Sequence, residues 1–114
     1  MTLTLSTTRE ATAEEVDDLV YGTGALSFSW WNGAHKTEHG YRFQYDDPDD
    51  AEGTFRGQKW VSNQAILDAA GQYISEGRGG EDAREAAGES IGYLDAVAAD
   101  AVLQRAVFGS EVYS

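Results

Sequence analysis

Three short strand-like runs between positions 25 and 61 constrain the fold more than any other feature of this sequence. The runs cover about residues 26–31, 41–45 and 54–61. In the first two, every second residue is apolar or aromatic, as in a strand with one buried face. The segments from Asn32 to Gly40 and from Asp46 to Gly53 are polar turn formers, too short to hold a helical crossover. The pattern therefore predicts a three-stranded antiparallel β-meander.

The residues before this segment predict an N-terminal helix. Thr12 and Glu15 have the spacing of a capping box, in which each side chain accepts a hydrogen bond from the other residue's backbone N–H. Gly22 is expected to end this helix in the left-handed region. Residues 2–8 permit either a short strand or a frayed terminus.

The residues after the segment predict two or three helices, because their apolar side chains recur at intervals of three and four. These helices are expected over about residues 63–76 with Ser62 as the cap, over about residues 82–91, and from Asp95 to Gly109. The predicted fold class is therefore α+β, with an N-terminal helix, a three-stranded antiparallel β-meander, and two to three C-terminal helices packed on one sheet face. The length of 114 residues fits a single domain over residues 1–114.

The composition excludes several classes of function. The chain has no cysteine, and therefore no disulfide, thiol nucleophile or cysteine-based zinc site. Its 20 acidic and 8 basic side chains give a net charge of −12, which argues against broad binding to nucleic-acid phosphates or anionic lipid. No apolar run approaches the roughly 20 residues that cross a bilayer. We therefore expect an acidic cytoplasmic protein with no membrane partner and no direct nucleic-acid binding.

No motif in the sequence predicts catalysis, a metal or a cofactor. His35 and His39 are four residues apart, but the glycines around them predict a loop, where that spacing does not make a metal site. The acidic turn from Asp46 to Gly53 lacks the ligand order of an EF-hand, so any calcium binding there would be weak. No serine lies in a nucleophile motif. We expect a non-enzyme without catalytic residues, cofactor or metal.

The meander segment contains most of the aromatic residues, more than helices on one side of a sheet can cover. Trp30 and Trp31 are adjacent, so on a strand their rings point to opposite faces and one is expected to be exposed. Exposed tryptophan and tyrosine dominate protein interfaces. We therefore predict an acidic protein-binding accessory module, with the candidate partner-binding residues Trp30, Trp31, Tyr41 and Tyr45. The same surface, or a free sheet edge, would permit a homodimer.

Basic residues are also concentrated in this segment. Lys36, Arg42, Arg56 and Lys59 lie among the aromatic residues, an arrangement that single-stranded nucleic-acid platforms use. Carboxylates outnumber these basic residues in the same segment, so cross-strand salt bridges are the simpler interpretation.

Acidic residues recur every four positions in two predicted helical regions. One stripe holds Glu10, Glu14 and Asp18, and the other holds Glu81, Glu85 and Glu89. Carboxylates at this spacing lie about 6 Å apart along a helix face, close to the step between DNA phosphates. An acidic DNA mimic that inhibits a nucleic-acid-binding host protein is therefore the alternative function, although an ordinary solvated helix face has the same pattern.

The C-terminal third contains an alanine-rich helical run that is followed by Tyr113. The run reads Asp95-Ala96-Val97-Ala98-Ala99-Asp100-Ala101-Val102-Leu103-Gln104-Arg105-Ala106-Val107-Phe108-Gly109. It resembles small orphan accessory proteins of tailed bacteriophages that infect actinobacteria, and the lysine-poor composition agrees, although it also fits a haloarchaeal proteome. The resemblance implies a phage-encoded protein that engages a host protein in the bacterial cytoplasm, and it implies no catalytic residues. A self-assembling structural or virion protein is a third function class.

Overall fold

The structure, a computed structural model, describes residues 1–5, 7–50 and 56–113. The described residues form the strands β1 (Thr2–Thr4), β2 (Thr8–Glu10), β3 (Trp31–Lys36), β4 (Gly40–Asp46) and β5 (Arg56–Ser62). They also form the helices α1 (Ala13–Asp17), α2 (Asn63–Ser75), α3 (Gly80–Glu89) and α4 (Ala96–Phe108). A π-helical turn over Asp18–Gly22 extends α1, and 3-10 turns cover Ala25–Ser27 and Ile91–Tyr93. The predicted α+β class is confirmed.

Strands β3, β4 and β5 form the predicted antiparallel meander in that order. The first strand begins later than predicted: the expected strand over residues 26–31 is wrong, and β3 occupies most of the expected loop. The alternating residues from Leu26 to Trp30 belong instead to a 3-10 turn and a link that pack against α4. An alternating apolar pattern shows that one side of a segment is buried, but it does not show whether that side packs against a helix or belongs to a strand of the sheet. Of the expected third run, residues 54 and 55 lie outside the described residues, as do residues 51–53 of the acidic turn.

β1 and β2 form a separate two-stranded antiparallel sheet, which the sequence only partly indicates. Leu3 is completely buried, and β1 lies against α2. Gly71 permits this contact, because a Cβ at that position would lie 2.3 Å from the Thr4 carbonyl oxygen. β2 has the sequence Thr8-Arg9-Glu10 and contains no apolar residue, so a search for period-two hydrophobicity misses it.

The helix N-caps predicted at Thr12 and Ser62 are confirmed, and Asp95, the predicted start of the last helix, is also an N-cap. Side-chain oxygens accept from backbone N–H groups three residues later at Thr12, Ser62 and Asp95. Thr12 and Glu15 form the complete capping box. Gly109 ends α4 with a φ of 82°. Gly22 does not end the first helix in the left-handed region, because the chain continues through the π-helical turn and reverses at Gly24, where φ is 87°.

The three-stranded sheet has one covered face and one open face. Tyr41, Phe43 and Val61 are buried on the side of α2 and α4, which pack against each other and against the sheet. Side chains at the alternate positions point the other way. These residues, here called the open face, are His35, Arg42, Gln44, Gln58 and Trp60. Helix α3 packs against α2 and against the turn that follows α3.

Candidate protein-binding surface

Trp30 and Trp31 do not point to opposite faces as the sequence predicts. Their indole N–H groups donate to the same carboxylate oxygen, Asp100 Oδ1 in α4, at 2.8 and 2.6 Å. Trp30 precedes the first residue of β3, and the pairing with β4 is irregular between Trp31 and Gly33, so strand alternation does not apply here. Both tryptophans therefore belong to an internal aromatic cluster.

Stacked rings fill this cluster. Trp30 is stacked between Phe28 and Tyr113, with each ring centroid 5.1 Å away. Trp31 stacks on Phe108 at 5.8 Å and is only 5% exposed. Most of this aromatic surface is used within the chain, so little of it is left for a partner.

Tyr41 and Tyr45, the other two predicted anchors, lie on the covered face of the sheet. Tyr41 is 1% exposed, and its hydroxyl donates to Asp17 Oδ1 at 2.9 Å. Burial and this hydrogen bond raise the pKa of Tyr41 well above its ordinary value. Tyr45 is half-buried and meets Phe108 edge-on at 4.8 Å. Two of the four predicted anchors are thus buried and two half-buried, so none is the exposed ring that the sequence predicts.

Trp60 is the exposed tryptophan of the sheet, with 47% of its surface accessible. Its Nε1 donates to Thr37 Oγ1 at 2.9 Å. Its ring lies over Gly40, where a Cβ would come within 2.9 Å of Trp60 Cζ2. The ring is therefore held in one position although it is exposed. A sequence signal for this exposure exists. Val61 is apolar and buried on the covered face, and because adjacent residues of a strand point to opposite faces, Trp60 points to the open face.

Trp60 belongs to a row of three cross-strand neighbours. The register places Arg42 of β4 opposite both His35 of β3 and Trp60 of β5. Directly opposite residues on antiparallel strands have Cβ atoms about 5 Å apart, so the three side chains are neighbours on one face. All three are exposed. The row combines a guanidinium group with an aromatic ring.

A surface cavity of about 360 Å³ continues the open face beyond this row. It is lined by Asn32, Gln44, Arg56, Gly57 and Gln58. Arg56 donates to Asn32 Oδ1 at 2.9 Å, and Asn32 in turn donates to Asp46 Oδ1 at 2.9 Å. The lining therefore consists of amide and guanidinium groups that can hydrogen-bond a partner's polar groups.

The arginines of this surface are not neutralised by the cross-strand salt bridges that the sequence suggests. In the part of the chain that the structure describes, neither Arg42 nor Arg56 forms a salt bridge. Lys36 does form one, with Asp17 at 3.3 Å, but its partner lies in α1 and not on a neighbouring strand. The open side of the sheet therefore presents two guanidinium groups that form no salt bridge within the described residues, although the Asp46 carboxylate lies opposite Arg56 on the neighbouring strand.

One residue of the second acidic stripe shares a groove with the first stripe. All six of their carboxylates are exposed: Glu10, Glu14, Asp18, Glu81, Glu85 and Glu89. Glu89, at the end of α3, lines a surface cavity of about 410 Å³ together with the three residues of the first stripe. Tyr93, which is 67% exposed, lines the same cavity. Of the second stripe only Glu89 reaches this groove, and the predicted first helical stripe is wrong in part, because Glu10 lies in β2 and not on a helix.

Neither a metal centre nor a relative supplies a further clue to function. Within residues 1–5, 7–50 and 56–113, no group of three or more histidine, aspartate or glutamate side chains could hold a metal ion. No helix in that part of the chain has the length and apolar character needed to span a membrane. The chain matches no protein-family model, no curated protein and no solved structure. Its function must be inferred from the geometry of its surfaces.

Proposed function

We propose that this chain is a small protein-binding module and that the open face of its sheet binds the partner. The observation that supports this is Trp60, an exposed ring held in position beside Arg42. Tryptophan and arginine are enriched among the interface residues whose truncation costs the most binding energy. The proposal keeps the sheet as the binding element predicted from the sequence, but it moves the binding surface to the open face and replaces the four predicted anchors with Trp60 and Arg42.

The partner of this surface is a protein with an acidic patch. Arg42 and Arg56 form no salt bridge within the described residues, so a partner's carboxylates would supply their counter-charges. A nucleic acid is also acidic, but duplex DNA carries about one negative charge per 1.7 Å of its axis, so the net charge of −12 opposes its approach more strongly than that of a protein with a local acidic patch. A bacterial host protein is the expected partner if the chain is phage-encoded, as the C-terminal resemblance implies. The proposal includes no catalytic step.

Affinity capture from an actinobacterial lysate, followed by titration of the purified complex, tests this proposal. Trp60→Ala is expected to weaken binding about 30-fold or more, because truncating a hot-spot residue costs about 2 kcal/mol or more. Tyr93→Ala is the matched control, because Tyr93 is also an exposed aromatic residue but lies in the turn after α3. We expect this control to bind within about twofold of the wild type. Equal losses in the two variants, or full binding by Trp60→Ala, would contradict the proposal.

An acidic DNA mimic is the second candidate, supported by the groove that Glu89 shares with the first acidic stripe. A mimic binds through its carboxylates, so the double variant Glu85→Gln, Glu89→Gln would lose binding and duplex DNA would compete with the chain. Under the open-face proposal, the double variant mainly changes the association rate and its salt dependence, and its affinity stays within about twofold of the wild type. The same purified complex therefore distinguishes the two candidates.

A further inference from the structure

The two edges of the three-stranded sheet differ in what covers them. At the β3 edge, the Tyr21 hydroxyl donates to the Ala34 carbonyl oxygen at 3.0 Å. On the same strand, Lys36 forms its salt bridge with Asp17. The π-helical turn over Asp18–Gly22 supplies Tyr21, so the N-terminal region of the chain closes this edge.

The β5 edge is open. The backbone N–H of Asn63 donates to the His39 carbonyl oxygen at 2.9 Å, so these two residues form a hydrogen-bonded pair. Hydrogen-bonded and non-hydrogen-bonded pairs alternate along an antiparallel ladder, so this bond shows which residues of β5 bond to β4. Every second residue of β5 from Gly57 onward therefore bonds to β4. The backbone N–H and C=O groups of Gln58 and Trp60 point away from the sheet, and no group in the described part of the chain pairs with them.

Unpaired groups along a sheet edge are completed when another strand is added. The strand β5 is accessible for this, because four of its residues are exposed: Arg56, Gln58, Lys59 and Trp60. β5 also contains no carboxylate. Two copies of a chain with net charge −12 can therefore approach along this strand without bringing acidic side chains of the two strands together.

We propose that a second copy of this chain pairs with β5, antiparallel and about a two-fold axis, to form a continuous six-stranded sheet. Gln58 of one copy lies opposite Gln58 of the other. In this register Trp60 lies opposite Arg56 of the second copy on the open face, which brings a guanidinium group to an exposed indole on each side of the axis. On the covered face Lys59 lies opposite Gly57, which has no side chain to oppose it.

Only a few registers are compatible with this edge, because residues whose N–H and C=O groups point outward must face one another. An axis at Lys59 sets the two Lys59 side chains directly opposite each other in the close, non-hydrogen-bonded position, where like charges repel. An axis at Trp60 would place Arg56 opposite position 64 of the second copy. That position lies beyond the end of β5, so Arg56 would have no opposite residue in the second strand. The axis at Gln58 avoids both conditions.

The dimer goes beyond the proposed function and does not depend on it. Its six-stranded sheet joins the two open faces into one surface that carries two copies of Trp60. A partner that binds the open face would then meet a two-fold surface, and two linked sites increase the avidity for a partner that also has repeated sites.

Cysteine cross-linking tests the register directly, because the chain has no cysteine of its own. Gln58→Cys is expected to form an intermolecular disulfide under mild oxidation, since hydrogen-bonded opposite residues have Cα atoms about 5.5 Å apart, within disulfide range. Trp60→Cys is expected not to cross-link, because the offset separates position 60 from its copy by about 13 Å along the strand. Glu85→Cys, exposed on α3, controls for random collisions. Stronger cross-linking of Trp60→Cys, or of a Lys59→Cys variant tested beside it, than of Gln58→Cys would overturn the register.

Sedimentation at micromolar concentration tests the edge itself. The wild type is expected to be a dimer and Gln58→Pro a monomer, because proline removes an outward N–H that bonds across the axis. If circular dichroism shows that this variant does not fold, Gln58→Lys replaces it, since it opposes two like charges at the axis and leaves the bonds to β4 intact. A monomeric wild type, or Gln58 variants that stay dimeric, would overturn the proposal. These measurements need no partner protein, so their failure is separate from failure of the open-face capture experiment.

Discussion

Trp31 and Trp60 stand on the two edge strands of one sheet, yet one lies in the core and the other at the surface. The indole N–H of Trp31 donates to Asp100, and Phe108 stacks on its ring, so α4 supplies both an acceptor and a packing partner. Trp60 donates to Thr37 in the adjacent hairpin turn, and none of the described helices covers its face. A buried indole needs a partner for its N–H. Tryptophan on a strand therefore enters the core only where another element brings an acceptor to it.

The largest expected effect separates these two tryptophans by stability. Trp31→Ala is expected to lower the free energy of unfolding by about 3–5 kcal/mol, because it empties a packed site of its largest ring. Trp60→Ala should cost less than about 1 kcal/mol, because its ring is half exposed to water already. Urea unfolding followed by circular dichroism measures both. Similar losses of unfolding free energy in the two variants would contradict the different environments of the two tryptophans.

Removal of the acceptor in α4 is expected to have the next largest effect. Asp100→Ala leaves the N–H groups of Trp30 and Trp31 without their acceptor, and it removes one of two acceptors of the Gln104 amide, which also donates to the Tyr113 carbonyl oxygen. A buried donor without an acceptor costs about 1–3 kcal/mol, and we expect a total near 3 kcal/mol by urea unfolding. Asp100→Asn keeps one acceptor oxygen for the indoles and should lose about half as much. Full stability of Asp100→Ala would show that α4 buries the tryptophans by packing alone.

A second buried carboxylate makes the helical layer sensitive to acid. Glu15 Oε1 accepts from Arg9 Nη2 at 2.6 Å, and its two oxygens also accept from the backbone N–H groups of Thr12 and Ile91. Burial alone would raise the pKa of Glu15. The hydrogen bonds from Arg9 and from the two backbone groups outweigh burial and hold this pKa below its ordinary value of 4.5.

The smallest of the three stability effects follows from this lowered pKa. The ionised Glu15 stabilises the fold fully above about pH 4.5, and this contribution is lost as the pH falls through the lower folded-state pKa. Glu15→Gln is expected to cost about 1–2 kcal/mol near pH 7, and the difference from the wild type should shrink in acid. Glu14→Gln, at an exposed neighbouring position, is the control and should show little difference at either pH. Parallel pH profiles for Glu15→Gln and the wild type would contradict this account.

The sequence predicted those elements whose stabilising partners are close along the chain. The caps at Thr12 and Ser62 accept hydrogen bonds from residues three positions later, so the capping-box spacing identifies the first and the position just before a helical pattern identifies the second. The alternation of Tyr41 and Phe43 identified β4 because both neighbours of that strand belong to the same meander. The alternation from 26 to 31 was misleading, because those residues pack against α4. The open face was foreseeable as an exposed side of the sheet, but the predicted anchors did not include Trp60, the exposed tryptophan on its edge strand β5.

By itself the sequence determined the fold class, the meander order and the helix caps, because hydrogen bonds between near neighbours and hydrophobic periodicity control them. Only the tertiary structure decided which tryptophans are buried. Trp30 and its acceptor Asp100 are separated by 70 residues, and no local pattern records that contact. The same holds for the sheet edges, since Tyr21 reaches Ala34 only after the chain has turned back on itself, while β5 meets no such side chain among the described residues. Exposure and edge accessibility depend on where distant segments pack, and that is settled only when the whole chain folds.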